Sequence, residues 1–298
     1  MKTSVIKFRR TVLSGVLFMA MSAMLMPSLR VYGSEMAPPS RLIDGHTAGG
    51  LPKGSVGFDI KVYATRDNYG SGLIAGLQAG VSDRLTFGLS YGGEGVIGYS
   101  SDVRWYSLPD IGAMIKYRIF DETYLTPAVA IGFDNQGFGG LANEAEFGYN
   151  GYVYKSPGFF LAASKNFIML NAVQIGFHGT LNYSLDDLDN ASWPNFLVGF
   201  DLGINNELML VMEYNCAFDD LTGKYGDPSY GNPFRGFLNF GLRWAFSPNF
   251  HLQFDMKDVL ENKQRRSGSY IDENGIRRWN WSSVGWSREL RVGYVAQF

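Results

Sequence analysis

The feature that most constrains this 298-residue sequence is an alternation of apolar residues with polar or small ones, which recurs along most of its length. It is clearest at the end of the chain, where alternate residues form one apolar set: Leu290, Val292, Tyr294, Ala296 and Phe298. A period of two places alternate side chains on opposite faces of a β-strand. The sequence therefore predicts strands that have one apolar face and one polar face.

We predict about twelve such strands, an even number. They lie at residues 54–65, 71–82, 84–95, 109–120, 123–134, 156–166, 167–183, 194–204, 206–217, 234–246, 249–260 and 286–298. Short polar turns, one of them at Asn166-Phe167, alternate with longer connections such as 135–155 and 261–285. Short turns on one side and long loops on the other are typical of a transmembrane antiparallel up-and-down β-barrel whose turns face the periplasm. A soluble β-sandwich would also alternate, but it has no reason to sort its loops in this way. Pro127 falls inside the fifth predicted strand, where we expect a bulge, because proline cannot donate to the strand ladder.

The first 33 residues have the organisation of a secretory signal peptide. They contain five basic residues, no acidic ones, and an apolar run at 11–26 that is short for a membrane-spanning helix. We place cleavage after Gly33, a periplasmic N-terminal extension at 34–53, and the outer-membrane barrel at 54–298. Without residues 1–33 the chain keeps 21 basic residues against 28 acidic ones, which argues against nucleic acid as a partner.

Charged residues on the face opposite the apolar stripe should line the barrel interior. They carry both signs, so two interpretations stay open: an ion-pair and hydrogen-bond network that fills the barrel, or a polar pore for a hydrophilic solute. The predicted lining residues are Asp59, Lys61, Lys116, Arg118, Asp134, Asp201, Glu213, Arg235, Arg243, Asp255, Lys257, Glu289 and Arg291.

Catalysis and metal binding have little support in the sequence. His46, His178 and His251 are not in a metal-binding spacing, and the single cysteine, Cys216, supplies neither a disulfide nor a thiolate site. A twelve-stranded outer-membrane phospholipase architecture exists, but it uses a His–Ser pair on the outer wall, whereas our strand phase turns His178 and His251 inward. We predict no catalytic residues, no metal ligands and no cofactor.

The last strand, which ends on the aromatic Phe298, resembles the recognition strand of bacterial outer-membrane barrels. The resemblance implies the bacterial outer membrane as location and the barrel-assembly machinery as a partner. Outer-membrane lipids and lipopolysaccharide are further expected partners. Arginines and tryptophans in the 261–285 loop suit lipopolysaccharide phosphates, since guanidinium groups favour phosphate.

Several segments also resemble a YjbH-like group of barrels. They include Ser40-Arg41-Leu42-Ile43-Asp44, residues 47–55 (TAGGLPKGS), residues 80–85 (GVSDRL) and Leu242-Arg243-Trp244. Members of the group are associated with exopolysaccharide production, which makes an envelope polysaccharide a candidate partner. The larger members carry extra domains that this sequence lacks, and the resemblance brings no functional residues with it.

The sequence therefore favours an outer-membrane barrel that is a narrow conduit or accessory for an exported glycan or another hydrophilic solute. The alternative is a structural or adhesive barrel with a plugged lumen that acts through its extracellular loops. A lipid-modifying barrel enzyme is a third hypothesis.

Overall fold

The structure is a computed structural model. It describes residues 39–65, 71–94, 106–107, 111–142, 151–169, 173–186, 193–219, 236–247, 249–275, 277–283 and 285–298. The predicted signal peptide, 1–33, lies outside these residues. Within them, no helix is long and apolar enough to cross a membrane.

Seventeen strands lie in the described part of the chain. In chain order they are β1 (Ser55–Thr65), β2 (Ser71–Gly80), β3 (Leu85–Glu94), β4 (Tyr106–Ser107), β5 (Gly112–Phe120), β6 (Ala128–Asp134), β7 (Phe138–Ala142), β8 (Gly151–Tyr154), β9 (Gly158–Met169), β10 (Val173–Tyr183), β11 (Asn195–Gly203), β12 (Leu208–Asn215), β13 (Phe237–Ser247), β14 (Phe250–Lys257), β15 (Gln264–Ile271), β16 (Arg277–Ser283) and β17 (Ser287–Gln297).

The sheet closes on itself, because the first strand pairs with the last. β1 is antiparallel to β17 from Ser55↔Gln297 to Thr65↔Ser287, and its other edge pairs with β2. The ring continues through β3, β5, β6, β9, β10, β11, β12, β13 and β14, which pairs with β17. The predicted twelve-stranded antiparallel barrel is confirmed. β4 adds two residues beside β3, and the hairpins β7–β8 and β15–β16 lie in long connections outside the ring.

The two faces of the barrel are inverted relative to a soluble protein. Large apolar side chains are exposed around the outside, among them Leu77, Phe87, Ile115, Leu210 and Leu290. The largest fully buried side chains include Lys165, Lys257, Glu213, Glu289 and His178. Soluble domains bury apolar residues and expose charged ones, so the apolar outer surface of this barrel is suited to the hydrocarbon core of a membrane. A closed barrel leaves no strand edge without hydrogen bonds in lipid. The chain is an outer-membrane barrel of the bacterial envelope.

One local prediction was wrong. The turn expected at Asn166-Phe167 is not there, because β9 continues to Met169 and β10 begins at Val173. Asn166 is held within the strand: its backbone N–H and its side-chain amide both donate to the Glu122 carboxylate, at 3.0 and 2.7 Å. Pro127 lies just before β6, which begins at Ala128, and the β5–β6 pairing has a bulge near the same rim, between Arg118 and Phe120.

Phe298 supports a prediction about assembly. Phe298 is 91% exposed, and its N–H donates to the Gly54 carbonyl at 3.1 Å. One such hydrogen bond contributes about 0.5–1.5 kcal/mol. We therefore expect deletion of Phe298 to reduce the heat-modifiable barrel in membranes several-fold, while the recovered barrel unfolds in urea close to the wild-type midpoint. Phe298→Tyr, which keeps a terminal aromatic, is the control. Wild-type amounts of barrel from the deletion would contradict the prediction.

Candidate functional site

The N-terminal segment enters the barrel and occupies its lumen. Residues 34–53 were predicted to form a periplasmic extension, but most of the described part, residues 39–53, lies inside the ring, with Pro52 and Lys53 exposed at the rim. We call residues 39–53 the plug. The Lys116 ammonium on β5 donates to the carbonyls of Ser40 and Gly49, at 2.6 and 2.7 Å. On β17, Arg291 donates to the Ile43 carbonyl at 3.1 Å. The extension was assigned to the periplasm because it carries no strand pattern, and pattern alone does not reveal these distant contacts.

The tip of the plug is a tight turn held by one buried carboxylate. The turn spans Leu42 to Gly45, with the Leu42 N–H donating to the Gly45 carbonyl at 3.0 Å. Glu213 on β12 accepts the backbone N–H groups of Ile43, Asp44 and Gly45, at 3.3, 3.1 and 2.8 Å. Hydrogen bonds to an ionised carboxylate are stronger than neutral ones. The tip is therefore bound to the wall through three of its own backbone N–H groups.

A small apolar contact lies beside this carboxylate. Leu42 and Ile43 pack against Met209 and Val211, and all four are buried. Met209 and Val211 belong to the inner face of β12, where a water-filled lumen would call for polar residues. β12 is thus apolar on both faces at these positions. The sequence contained this signal of a covered inner wall.

A relay of hydrogen bonds links the middle of the plug to three neighbouring strands. The Ala48 N–H donates to Ser164 Oγ at 2.9 Å; Ser164 lies 2.8 Å from His178 Nδ1, and His178 Nε2 lies 2.7 Å from Asp201. When His178 carries its proton on Nε2, it donates to Asp201 and accepts from the Ser164 hydroxyl. This orders the chain as Ala48 to Ser164 to His178 to Asp201. Gly176 leaves room for it, because a Cβ there would lie 2.7 Å from both His178 Nε2 and Asp201 Oδ2.

Serine, histidine and aspartate are the residue types of hydrolytic triads, but here they are covered. Ser164, His178 and Asp201 are each at most 3% exposed, and the serine oxygen already accepts a peptide N–H. They anchor the plug. Within the described residues, no cluster of three or more His, Cys, Asp or Glu side chains could hold a metal ion.

Ion pairs fix the rest of the plug to the wall. Arg41 pairs with Asp134, which also bonds to His46 at 3.0 Å, and the His46 ring stacks on Phe160 with centroids 4.0 Å apart. Asp44 pairs with Lys257 at 2.5 Å.

Glu289 organises the charges of the wall itself. It accepts from Arg291 at 2.8 Å and lies 3.9 Å from Lys61 and 3.7 Å from Lys257. The two lysine ammonium groups also lie 3.6 and 3.8 Å from the centre of the Phe138 ring. The inner charges are therefore partnered, as burial requires.

The predicted lining residues have several environments. Asp59 and Arg243 are half-buried. Arg118 is at the periplasmic rim, where it binds Asp121 and the Asp83 carbonyl. Arg235 lies outside the described residues. Those buried inside the ring are Lys61, Lys116, Asp134, Asp201, Glu213, Asp255, Lys257, Glu289 and Arg291. Sequence reasoning did not find Ser164, Gln253 or Asn239, which also bond within the lumen.

A cavity of about 70 Å³ lies on the outer side of the plug tip. Its floor includes Asp44, Gly45 and His46, and its sides include Phe138 and Tyr154 from the hairpin β7–β8. The rings of Phe138 and Tyr154 stack with centroids 4.6 Å apart. The cavity has room for several water-sized groups. The cavity is the part of the lumen, at its outer end, that the plug does not fill.

Two titratable groups outside the strands have shifted pKa values. Burial raises the pKa of the Asp186 carboxyl, against the opposing effect of the Ser156 N–H that donates to it. Burial also raises the pKa of the Cys216 thiol to about 12. The thiol is therefore protonated at neutral pH and is a poor nucleophile.

Comparison with known proteins finds similarity only among solved structures. No protein-family model and no curated protein sequence matches the chain. An outer-membrane channel of Pseudomonas putida F1 is 12% identical, with 90% of this chain and all of that chain covered and a TM-score of 0.37. The NanC porin and the KdgM porin are each 10% identical, with TM-scores of 0.38. They cover 81% and 82% of this chain, and 99% of each porin is covered. These are weak likenesses between barrels and do not extend to function.

Replacing Glu213 tests how the plug is held. Glu213→Leu leaves three tip N–H groups without their acceptor, at a cost of about 1–3 kcal/mol for each buried group. We expect trypsin to cleave after Arg41 about tenfold faster in the folded, detergent-solubilised variant than in the wild-type protein, as measured by mass spectrometry. Glu122→Leu is the matched control, since Glu122 also accepts an N–H but lies at the periplasmic turn. Equal cleavage of the two variants would show that Glu213 does not hold the tip.

Proposed function

We propose that this protein is a closed outer-membrane barrel that acts at its extracellular face, as a binding or adhesive protein, and that its own plug prevents solutes from crossing. The observation that carries the proposal is the seating of the plug in the lumen, with Glu213, Lys116 and Arg291 bound to its peptide groups.

The pattern of partners supports a closed ground state. Lys116 donates to peptide carbonyls of the plug, and Glu213 accepts peptide N–H groups of the plug. If the plug were removed, the charges of Lys116 and Glu213 would either have to bind water or remain unpaired. A barrel built to stay open would instead pair its wall charges with one another or with water.

A conduit for a hydrophilic solute or exported glycan is the second candidate function. It is favoured by the chemistry of the plug contacts, which are mostly hydrogen bonds and ion pairs with few apolar contacts. Water can replace such bonds at modest net cost. If the plug withdrew, the remaining wall would be a charged, hydrated passage.

The expected partners follow from the exposed regions of the barrel. The apolar belt contacts outer-membrane lipids. The hairpin β15–β16 presents the exposed Arg277 toward lipopolysaccharide phosphates. The last strand engages the barrel-assembly machinery, and an envelope polysaccharide is a candidate for binding at the outer face.

Single-channel recording in planar bilayers tests the closed state. We expect no discrete steps from the wild-type protein, and steps from a variant that lacks residues 41–50, because the deletion removes the tip and its contacts. A locked variant is the control: Ala48→Cys with Ala130→Cys, in a Cys216→Ala background, joins two residues that pack together inside the barrel.

The locked variant separates the two candidate functions. If the wild-type protein shows steps, and the locked variant shows them when reduced but not when oxidised, the conduit function would replace the closed barrel. If the oxidised locked variant still shows steps, the plug controls passage in neither candidate function, and both proposed roles of the plug are wrong.

A further inference from the structure

The cavity outside the plug tip has the composition of a ligand site. Asn182, Asn195 and Asn215, at the outer ends of three neighbouring strands, line it together with Phe138, Tyr154 and Phe237. Amide groups and aromatic rings in one concave site bind ligands that have polar edges and an apolar face. The cavity is small enough to admit only one ring-sized or smaller unit.

The charges around the cavity nearly balance. Arg41, Lys155 and Lys263 line it, as do Asp44 and Asp219. Arg41 is paired with Asp134, and Asp44 with Lys257. Lys155 donates to the Asp219 backbone carbonyl at 2.7 Å. A strongly charged ligand would disturb these pairs without gaining an unopposed partner, so the balance favours a neutral ligand.

Two of the lining side chains have a buried polar atom with no hydrogen-bond partner: Asn182 Oδ1 and His46 Nδ1. The Asn182 amide is oriented by its Nδ2, which donates to the Pro157 carbonyl at 2.9 Å. Its oxygen therefore requires a donor, and the imidazole nitrogen requires a donor or an acceptor according to its tautomer. A hydroxyl group can serve both, because it can donate to Asn182 Oδ1 and can donate to or accept from His46 Nδ1, whereas an apolar group satisfies neither.

We propose that this cavity binds a single neutral polyhydroxylated unit, such as one sugar ring or a short polyol, through the Asn182 amide and His46, with Phe138 and Tyr154 beside it. The proposal rests on the proposed function and names the class of ligand recognised at the outer face.

The site depends on the plug. Asp44, Gly45 and His46 form its floor, so the complete site exists only while the tip is seated. A ligand that binds one conformation stabilises that conformation. The neutral unit therefore holds the plug in place, and its binding opposes opening of the lumen.

Saturation-transfer NMR on the full-length mature protein in detergent tests the ligand class. The probes are methyl glucoside, glucuronate and glucosamine, which differ mainly in charge. We expect saturable binding of methyl glucoside and at least fivefold weaker binding of the two charged sugars. Asn182→Ala should weaken methyl glucoside binding about tenfold. Asn166→Ala is the matched control, because Asn166 also has a buried unpartnered oxygen but lies away from the cavity.

Protection of the plug gives an independent readout. Saturating methyl glucoside should slow trypsin cleavage after Arg41 at least threefold in the wild-type protein and have no effect in Asn182→Ala. Binding of no probe, preference for a charged sugar, or equal loss in both asparagine variants would overturn the site. The wild-type comparison of the three sugars remains decisive if Asn182→Ala does not assemble. None of these outcomes depends on conductance, so failure here is distinguishable from failure of the closed-barrel proposal.

Discussion

The pairing of β1 with β17 is the interaction on which the rest of the structure depends. Hydrocarbon offers no partner to a backbone N–H or carbonyl, so a sheet with open edges cannot remain in the membrane. Closing the ring joins the beginning of the barrel to the end of the chain, over eleven pairs from Ser55↔Gln297 to Thr65↔Ser287. Once the ring is closed, alternation assigns every second side chain to lipid and the others to an enclosed interior. The charges of that interior are then confined and need partners.

The plug supplies many of those partners with peptide groups. Glu213 is bound by three backbone N–H groups, and Lys116 by backbone carbonyls, so one short segment satisfies charges of both signs. Peptide dipoles replace water without adding further charges to the lumen. Cation–carboxylate pairs inside the wall, such as Arg291 with Glu289, complete the arrangement. A buried charge is tolerated only when such partners are present, and removing a single partner is costly.

Sequence reasoning recovered the barrel because its information is local and periodic. The faces of β17, with Leu290 and Tyr294 outward and Glu289 and Arg291 inward, follow from a period of two. The boundary between β9 and β10 was misplaced because Asn166-Phe167 has the composition of a turn; its strand conformation depends on Glu122, 44 residues away. The plug was missed for the same reason on a larger scale. Ala48 meets Ser164, and Ile43 meets Arg291, at separations of 116 and 248 residues, and no local pattern encodes such contacts. The apolar inner positions Met209 and Val211 were a local indication that something covers the wall.

Connectivity determines how the plug can move. The plug joins β1 at Ser55, on the rim with the short turns, and its last residues are tied there: the Lys53 N–H donates to Asp83 at 3.1 Å. A segment anchored at the periplasmic rim leaves the lumen toward the periplasm, because moving outward would carry its tip into the hairpin β7–β8. The cavity that meets the extracellular side lies on the opposite face of the same tip. Under the proposed site, binding from outside adds contacts to the seated tip, whereas withdrawal toward the periplasm would break them. Both sides of the membrane therefore reach the same turn, Leu42 to Gly45, and withdrawal toward the periplasm would have to break its hydrogen bonds to Glu213.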